Sequence, residues 1–151
     1  MPQSLSVVNV HLVFSTKERR PLLADPGVRG EMHAWLGGTS RKLGCPPVRV
    51  GGVEDHVHIL ARLGRTISQA DWVKELKRTS SIWIKERDVR ARDFAWQAGY
   101  GVFAVNVTEL DSVRNYIAHQ EEHHQHRTFQ DEFRALLEAH GETWDERYVW
   151  E

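Results

Sequence analysis

Residues 48–63 read VRVGGVEDHVHILARL. Aliphatic and β-branched residues fill both ends, with Gly51-Gly52 and Glu54-Asp55 between them. The stretch therefore predicts two strands joined at one of those pairs. In the second strand His56 and His58 are two residues apart, so they share a face with Cα atoms about 6.6 Å apart. Val57, Ile59 and Ala61 take the other face and read as core. Two imidazoles side by side are within reach of one metal ion, although such a pair is commonly just hydrogen-bonded. A histidine-triad hydrolase would need a third histidine at position 60, where Leu60 stands. A zinc hydrolase would need a further histidine or carboxylate. Asp55 is adjacent but points to the opposite face of a regular strand, so a third ligand must come from elsewhere.

Working outward, VVNVHLVF (7–14) reads as a buried strand and 25–44 as an amphipathic helix carrying Val28, Met32, Trp35 and Leu36. Gly44 and Pro46-Pro47 stop that helix. Downstream, Val73, Leu76, Ser80, Trp83 and Ile84 mark a helix over 68–87. Short strands are expected around Phe94–Trp96 and Tyr100–Val107, then helices over 109–126 and 129–140. The order β-α-β-β-α-β(β)-α-α predicts an α+β domain over residues 1–151. It fits a ferredoxin-like (split βαβ) antiparallel sheet, with two crossover helices on one face and further helices at the C-terminal end. That architecture hosts binders and enzymes alike and decides nothing about function.

The chain has 151 residues, a net charge of −1 and one cysteine, Cys45. A disulfide framework and a Cys-cluster zinc site are excluded. No apolar run approaches a membrane span and no signal peptide opens the chain, so the expectation is a soluble, cytoplasmic protein with no membrane partner. The neutral total hides an asymmetry. Residues 62–92 hold nine Lys/Arg against four Asp/Glu, whereas 109–151 hold four against eleven. Lys74, Lys77, Arg78 and Lys85 lie on the 68–87 helix, and Lys17, Arg19 and Arg20 follow the first strand. These seven are candidate phosphate contacts, which would give affinity and salt dependence rather than sequence choice.

Tyr116 and Gln120 are four apart on a predicted helix and share a face. The Gln120 amide oxygen is a candidate third ligand beside the two imidazoles. That set would leave positions open for a phosphate oxygen and water. A phenol is a poor nucleophile until a metal or base prepares the reaction. His119, His123, His124 and His126 crowd the same region and carry no assignment, since histidines at a helix end are favourable with its dipole.

Several stretches resemble one known family in order and spacing: GVEDHVHIL (52–60), FAWQAGY (94–100) and YIAHQEEHH (116–124), with HLVFSTK (11–17), LKRTSS (76–81) and DERYVW (145–150). They are similar to the insertion-sequence-200/605-like transposases, single-tyrosine members of the HUH (His-hydrophobic-His) endonucleases. The resemblance implies that His56, His58 and Gln120 hold Mg²⁺ or Mn²⁺ and that Tyr116, on a C-terminal helix, is the nucleophile. It implies cleavage of single-stranded DNA, with hairpins at the element ends, through a covalent 5′-phosphotyrosine and a released 3′ hydroxyl. It also implies a homodimer in which one subunit's tyrosine helix can complete the other's site. Two other readings stay open: a domesticated or repeat-associated relative that binds hairpins without transposing itself, and a metal-dependent phosphoesterase.

Overall fold

The computed structural model describes residues 2–151; Met1 of the expected 1–151 domain lies outside them. Strand β1 (Asn9–Ser15) is buried along its whole length. It can be, because it lies between two antiparallel neighbours, β3 (His56–Arg62) and β4 (Gly101–Val105). With β2 (Pro47–Gly52) beyond β3, the order is β2-β3-β1-β4, the arrangement that two interleaved βαβ units produce.

The pleat sorts side chains between two layers. Val10, Leu12 and Phe14 of β1 join Val57, Ile59 and Ala61 of β3 in the main core. Helices α1 (Pro26–Lys42) and α2 (Gln69–Arg87) cover this face with Met32, Leu36, Trp72, Leu76 and Ile84. Asp25 caps α1 through the Gly27 and Val28 amides, with Pro26 in the first turn, and Ser68 caps α2 through the Asp71 amide. Two buried indoles find partners in the same layer: Trp72 donates to Ser40 and Trp96 to Ser80. No helix among the described residues is long and apolar enough to cross a membrane.

The β2–β3 turn lies at residues 53–55, and both glycines belong to strand β2. They serve close approach instead. A Cβ on Gly51 would stand 2.7 Å from the Ile117 carbonyl, and one on Gly52 (φ 151°) would stand 2.3 Å from the His56 carbonyl.

The opposite face of the sheet carries α3 (Leu110–Ala118), α4 (Gln120–His123) and α5 (Phe129–Ala139). The expected continuous helix over 109–126 is broken at His119. Both the amide and the ring of His119 bond the Asn115 carbonyl, and its backbone (φ −108°, ψ 26°) leaves helical geometry. The expected strand at Phe94–Trp96 is reduced to a single bridge, Thr16 to Trp96. Phe94 and Trp96 both plunge into the main core, and the following carbonyls turn to the Lys77 ammonium rather than to a neighbouring strand. Beyond α5, Trp144, Val149 and Trp150 pack on Phe103, Phe129, Phe133 and Leu137. Glu146 fastens this strap by accepting from Arg134, Trp144 and Trp150, and those bonds hold its carboxyl down at about 2.

Candidate active site and metal centre

His56 and His58 project from β3 toward α3–α5, on the face opposite Val57 and Ile59, and both are fully buried. Four elements converge there. Helix α3 brings Tyr116, α4 brings Gln120, the loop after α4 brings His124 and α5 brings Glu132. The Glu132 carboxylate is the hub. One oxygen lies 2.9 Å from His58 Nε2 and 3.2 Å from His56 Nε2. The other lies 3.2 Å from His124 Nε2, accepts from Gln120 Nε2 at 3.1 Å and takes the Tyr116 hydroxyl. Gln120 Oε1 faces His56 Nε2 at 3.3 Å and His124 Nε2 at 3.0 Å.

Each imidazole is held by its far nitrogen. Asp55 accepts from His56 Nδ1 at 2.7 Å, His11 Nε2 meets His58 Nδ1 at 2.8 Å, and the Arg127 carbonyl accepts from His124 Nδ1 at 2.7 Å. Such outer partners fix ring orientation and aim Nε2 inward. The ligating atoms of His56, His58, His124 and Glu132 lie within 4.8 Å of one another. Three inward imidazole nitrogens, a carboxylate and an amide oxygen are a donor set that fits a divalent cation.

The electrostatics follow from burial. Desolvation pushes His56 down, but its bonds to Asp55 and Glu132 outweigh this and raise it to about 9. His58 falls through burial, which Glu132 opposes, and the charges of His56 and His124 add to the fall. Burial and then the charge of His58 take His11 down to about 3. Burial alone would push Glu132 up, yet bonds from His124, His56 and His58 hold it far below the carboxylate range. Burial, then the charge and hydrogen bond of Glu132, raise the Tyr116 phenol well above its ordinary value. A full negative charge beside the hydroxyl keeps its proton on.

The four expected centre residues, His56, His58, Gln120 and Tyr116, thus meet at one point. Asp55 departs from its expected placement. It lies in the turn, outside the strand, and so reaches the histidine it was expected to face away from. Glu132 and His11 were not singled out by sequence, and His124 was noted there without an assignment. Glu132 had a readable signal, a carboxylate flanked by Phe129 and Phe133 on the apolar face of a helix, which demands a polar partner.

The basic candidates divide. Lys74, Lys77, Arg78 and Lys85 border a groove of about 470 Å³ along the 94–100 loop. Lys17 and Arg19 border an adjoining groove of about 560 Å³ with Trp150. Arg20 stands apart, in a cleft with Asp25, Asp88 and Asp93. Lys77 is committed internally, donating to the Gln97, Ala98 and Gly99 carbonyls, and Arg78 pairs with Glu75.

The family model described as Transposase IS200 like matches residues 4–120, a span that includes His56, His58, Tyr116 and Gln120. The chain belongs to the IS200-like transposases. No curated protein matches this transposase chain. Among solved structures, a protein of Deinococcus radiodurans R1 described as a candidate transposase is 22% identical, with a TM-score of 0.62. The alignment covers 80% of this chain and 95% of that one. A REP-associated tyrosine transposase bound to a REP hairpin is 13% identical, with a TM-score of 0.60, over 82% of this chain and 72% of that one. At these identities the likeness is one of fold. The four-stranded antiparallel sheet with its helices is the architecture the sequence predicts. His124 and Glu132 lie beyond the matched span of the transposase model.

Proposed function

We propose that this transposase cuts and rejoins single-stranded DNA through a covalent bond between Tyr116 and a 5′ phosphate. The observation that carries the reading is the Tyr116 hydroxyl sharing one buried carboxylate with His56, His58 and Gln120. A small-substrate phosphoesterase would gain nothing from a tyrosine built into its metal cluster. His56, His58 and Gln120 would hold Mg²⁺ or Mn²⁺, with Glu132 and His124 in reach. The bound ion supplies Lewis-acid stabilisation of charge on the phosphate oxygens.

The chain's own part follows from its geometry. His56, His58, Gln120 and Glu132 are buried, so for a strand to reach them the Glu132 carboxylate would have to be displaced. That displacement also removes the charge that keeps the phenol protonated. Tyr116 then loses its proton to solvent as its oxygen bonds to phosphorus, and a solvent proton is returned to the departing 3′ oxygen. The bond to the 3′ oxygen breaks, and that oxygen leaves as a hydroxyl. A 3′ hydroxyl attacking the phosphotyrosine restores Tyr116 and joins strands, so no external energy source is required. The hairpin held by the REP-associated relative supports hairpin-bearing element ends as substrate. The homodimer implied by the sequence resemblance belongs to the same proposal.

The test uses end-labelled single strands spanning the flanks of the gene, with Mn²⁺ or EDTA, resolved on denaturing gels. A metal-dependent adduct that survives denaturation is expected from the native protein. Tyr116→Phe should form none, with cleavage down at least 10³-fold on the scale set by losing a covalent nucleophile, while strand binding stays unchanged. Cleavage by Tyr116→Phe would sink the nucleophile assignment. Binding without an adduct from the native protein would mark a hairpin binder.

A further inference from the structure

At the outer edge of the sheet, beside β2, a cleft of about 210 Å³ opens between α1 and the α3–α4 junction. Its walls are Arg29 and His33 of α1, Arg49 and Gly51 of β2, and Gln120 and Glu121 of α4. Gln120 is shared: its amide faces His56 on the inner side, and the residue forms the end wall of the cleft on the outer. The cleft therefore abuts the candidate metal centre without belonging to it.

Three observations give the cleft its chemistry. Among the described residues, His33 Nε2 is the one buried side-chain nitrogen or oxygen with no hydrogen-bond partner, and such groups demand explanation. Two guanidiniums, Arg29 and Arg49, line the same small space, and burial, followed by their charges, pushes His33 down to about 4. A neutral imidazole with a free nitrogen thus sits in a positive field. Lastly, an anion already reaches the rim, because Arg29 Nη2 donates to Glu121 at 2.8 Å, and that carboxylate is 72% exposed. With the carboxylate largely in solvent, the pair is exchangeable from the Glu121 side. Arg29 is otherwise anchored to the Leu23 and Ala24 carbonyls, so its fork stays in place when Glu121 swings out.

We propose that this cleft seats a backbone phosphate of the single strand, flanking the scissile one, between Arg49, Arg29 and His33, whose unpartnered Nε2 would donate to it as an N–H. The occupant is a phosphodiester rather than a base, because the walls offer two guanidiniums and no phenyl, phenol or indole face for stacking. The inference rests on the single-strand reading above. It adds a clamp that fixes register without reading sequence, as phosphate contacts do, in the cleft whose end wall is Gln120.

The test is strand affinity measured across salt concentrations for the native protein and Arg49→Ala, with Arg41→Ala on the exposed end of α1 as the control for general charge. Arg49 is exposed, so an unchanged melting profile should accompany its replacement. One lost phosphate contact on a single strand should reduce the salt slope by about 0.7. Arg41→Ala should leave the slope alone. Glu121→Gln, which removes the competing carboxylate, should tighten binding a few-fold, an outcome that a damaged fold would not produce. Native-like slopes in Arg49→Ala, with the native protein still binding strands, overturn the clamp and leave the single-strand reading standing. A native protein that binds no strand overturns both.

Discussion

On strand β3, Val57, Ile59 and Ala61 enter an apolar layer sealed by α1 and α2, whereas His56 and His58, on the same seven residues, enter a polar cluster sealed by α3–α5. Both sides are equally dry, with Ile59 and His58 alike fully buried. On the first face, burial is its own reward and tolerates neighbours of many shapes. On the second, every buried nitrogen and oxygen needs a partner, and one carboxylate, Glu132, serves His56, His58, His124, Gln120 and Tyr116. The first face stores stability in many small contacts. The second concentrates it in one charge, which makes it easy to disrupt and therefore usable as a reactive site.

Matched truncations would break that comparison most sharply. Glu132→Ala leaves buried imidazoles without their counter-charge and should cost about 3–5 kcal/mol in the metal-free protein. It should also weaken Mn²⁺ binding at least 10-fold, as loss of a supporting or ligating group does. Ile59→Ala should cost a similar 2–5 kcal/mol but leave Mn²⁺ affinity within about twofold, because it acts on the other face. Denaturant unfolding and Mn²⁺ calorimetry on both variants would decide it. Unchanged Mn²⁺ affinity in Glu132→Ala would reduce Glu132 to a structural counter-charge.

A gentler probe is pH. His11, His33 and His58 are depressed below their unfolded value near 6.5, so the stability they favour is present above that pH and lost as acid charges them. Glu132, held low, adds its own loss once pH falls below the ordinary carboxylate range. His56, raised to about 9, contributes fully below 6.5 and loses that contribution as pH climbs through 9. The metal-free protein should therefore melt highest near pH 6.5, with an acid limb, driven by three histidines, steeper than the alkaline limb driven by one. The alkaline fall should be on the order of 5–10 °C. Mn²⁺ should flatten it, since ions compete with protons for His56 and bind better as pH rises. Calorimetric scans from pH 4 to 9, with Mn²⁺ or EDTA, test this; a maximum at pH 9 without metal would contradict the placement of His56 between Asp55 and Glu132.

The same contrast explains what could be read from the chain. Period-2 and period-3.6 patterns located β1, α1, α2 and the His56–His58 strand, because one face of each meets a continuous apolar layer. Tyr116 and Gln120 were legible through local spacing. Which groups Glu132, His124 and His11 meet was not legible, since their partners lie 74, 68 and 47 residues away along the chain from His58, His56 and His58 in turn, and spacing carries no information over such intervals. The helix break at His119 and the loss of strand at Phe94–Trp96 were hidden for a related reason. In each, a side chain takes backbone carbonyls, His119 that of Asn115 and Lys77 those of 97–99 just after the expected strand, which hydrophobic periodicity does not register.

Helix α2 repeats the contrast on a smaller scale and yields the smallest effect. Lys77 and Lys74 are three residues apart in a basic helix and looked equivalent in sequence. Lys77 is spent on three loop carbonyls and lies over the Phe14 and Tyr100 rings, whereas Lys74 is exposed beside the same groove. Lys77→Ala should therefore cost about 1–3 kcal/mol and speed amide exchange through residues 95–99, with DNA affinity falling only as far as the loop loosens. Lys74→Ala should leave stability within about 0.5 kcal/mol but lower the salt slope of strand binding by about 0.7. If both variants changed only the salt slope, the three carbonyl bonds would be incidental, and the groove would be lined by free cations throughout. If only Lys77→Ala loosened the loop, charge on this helix would divide as charge does across the sheet, between groups that hold the fold and groups left for the substrate.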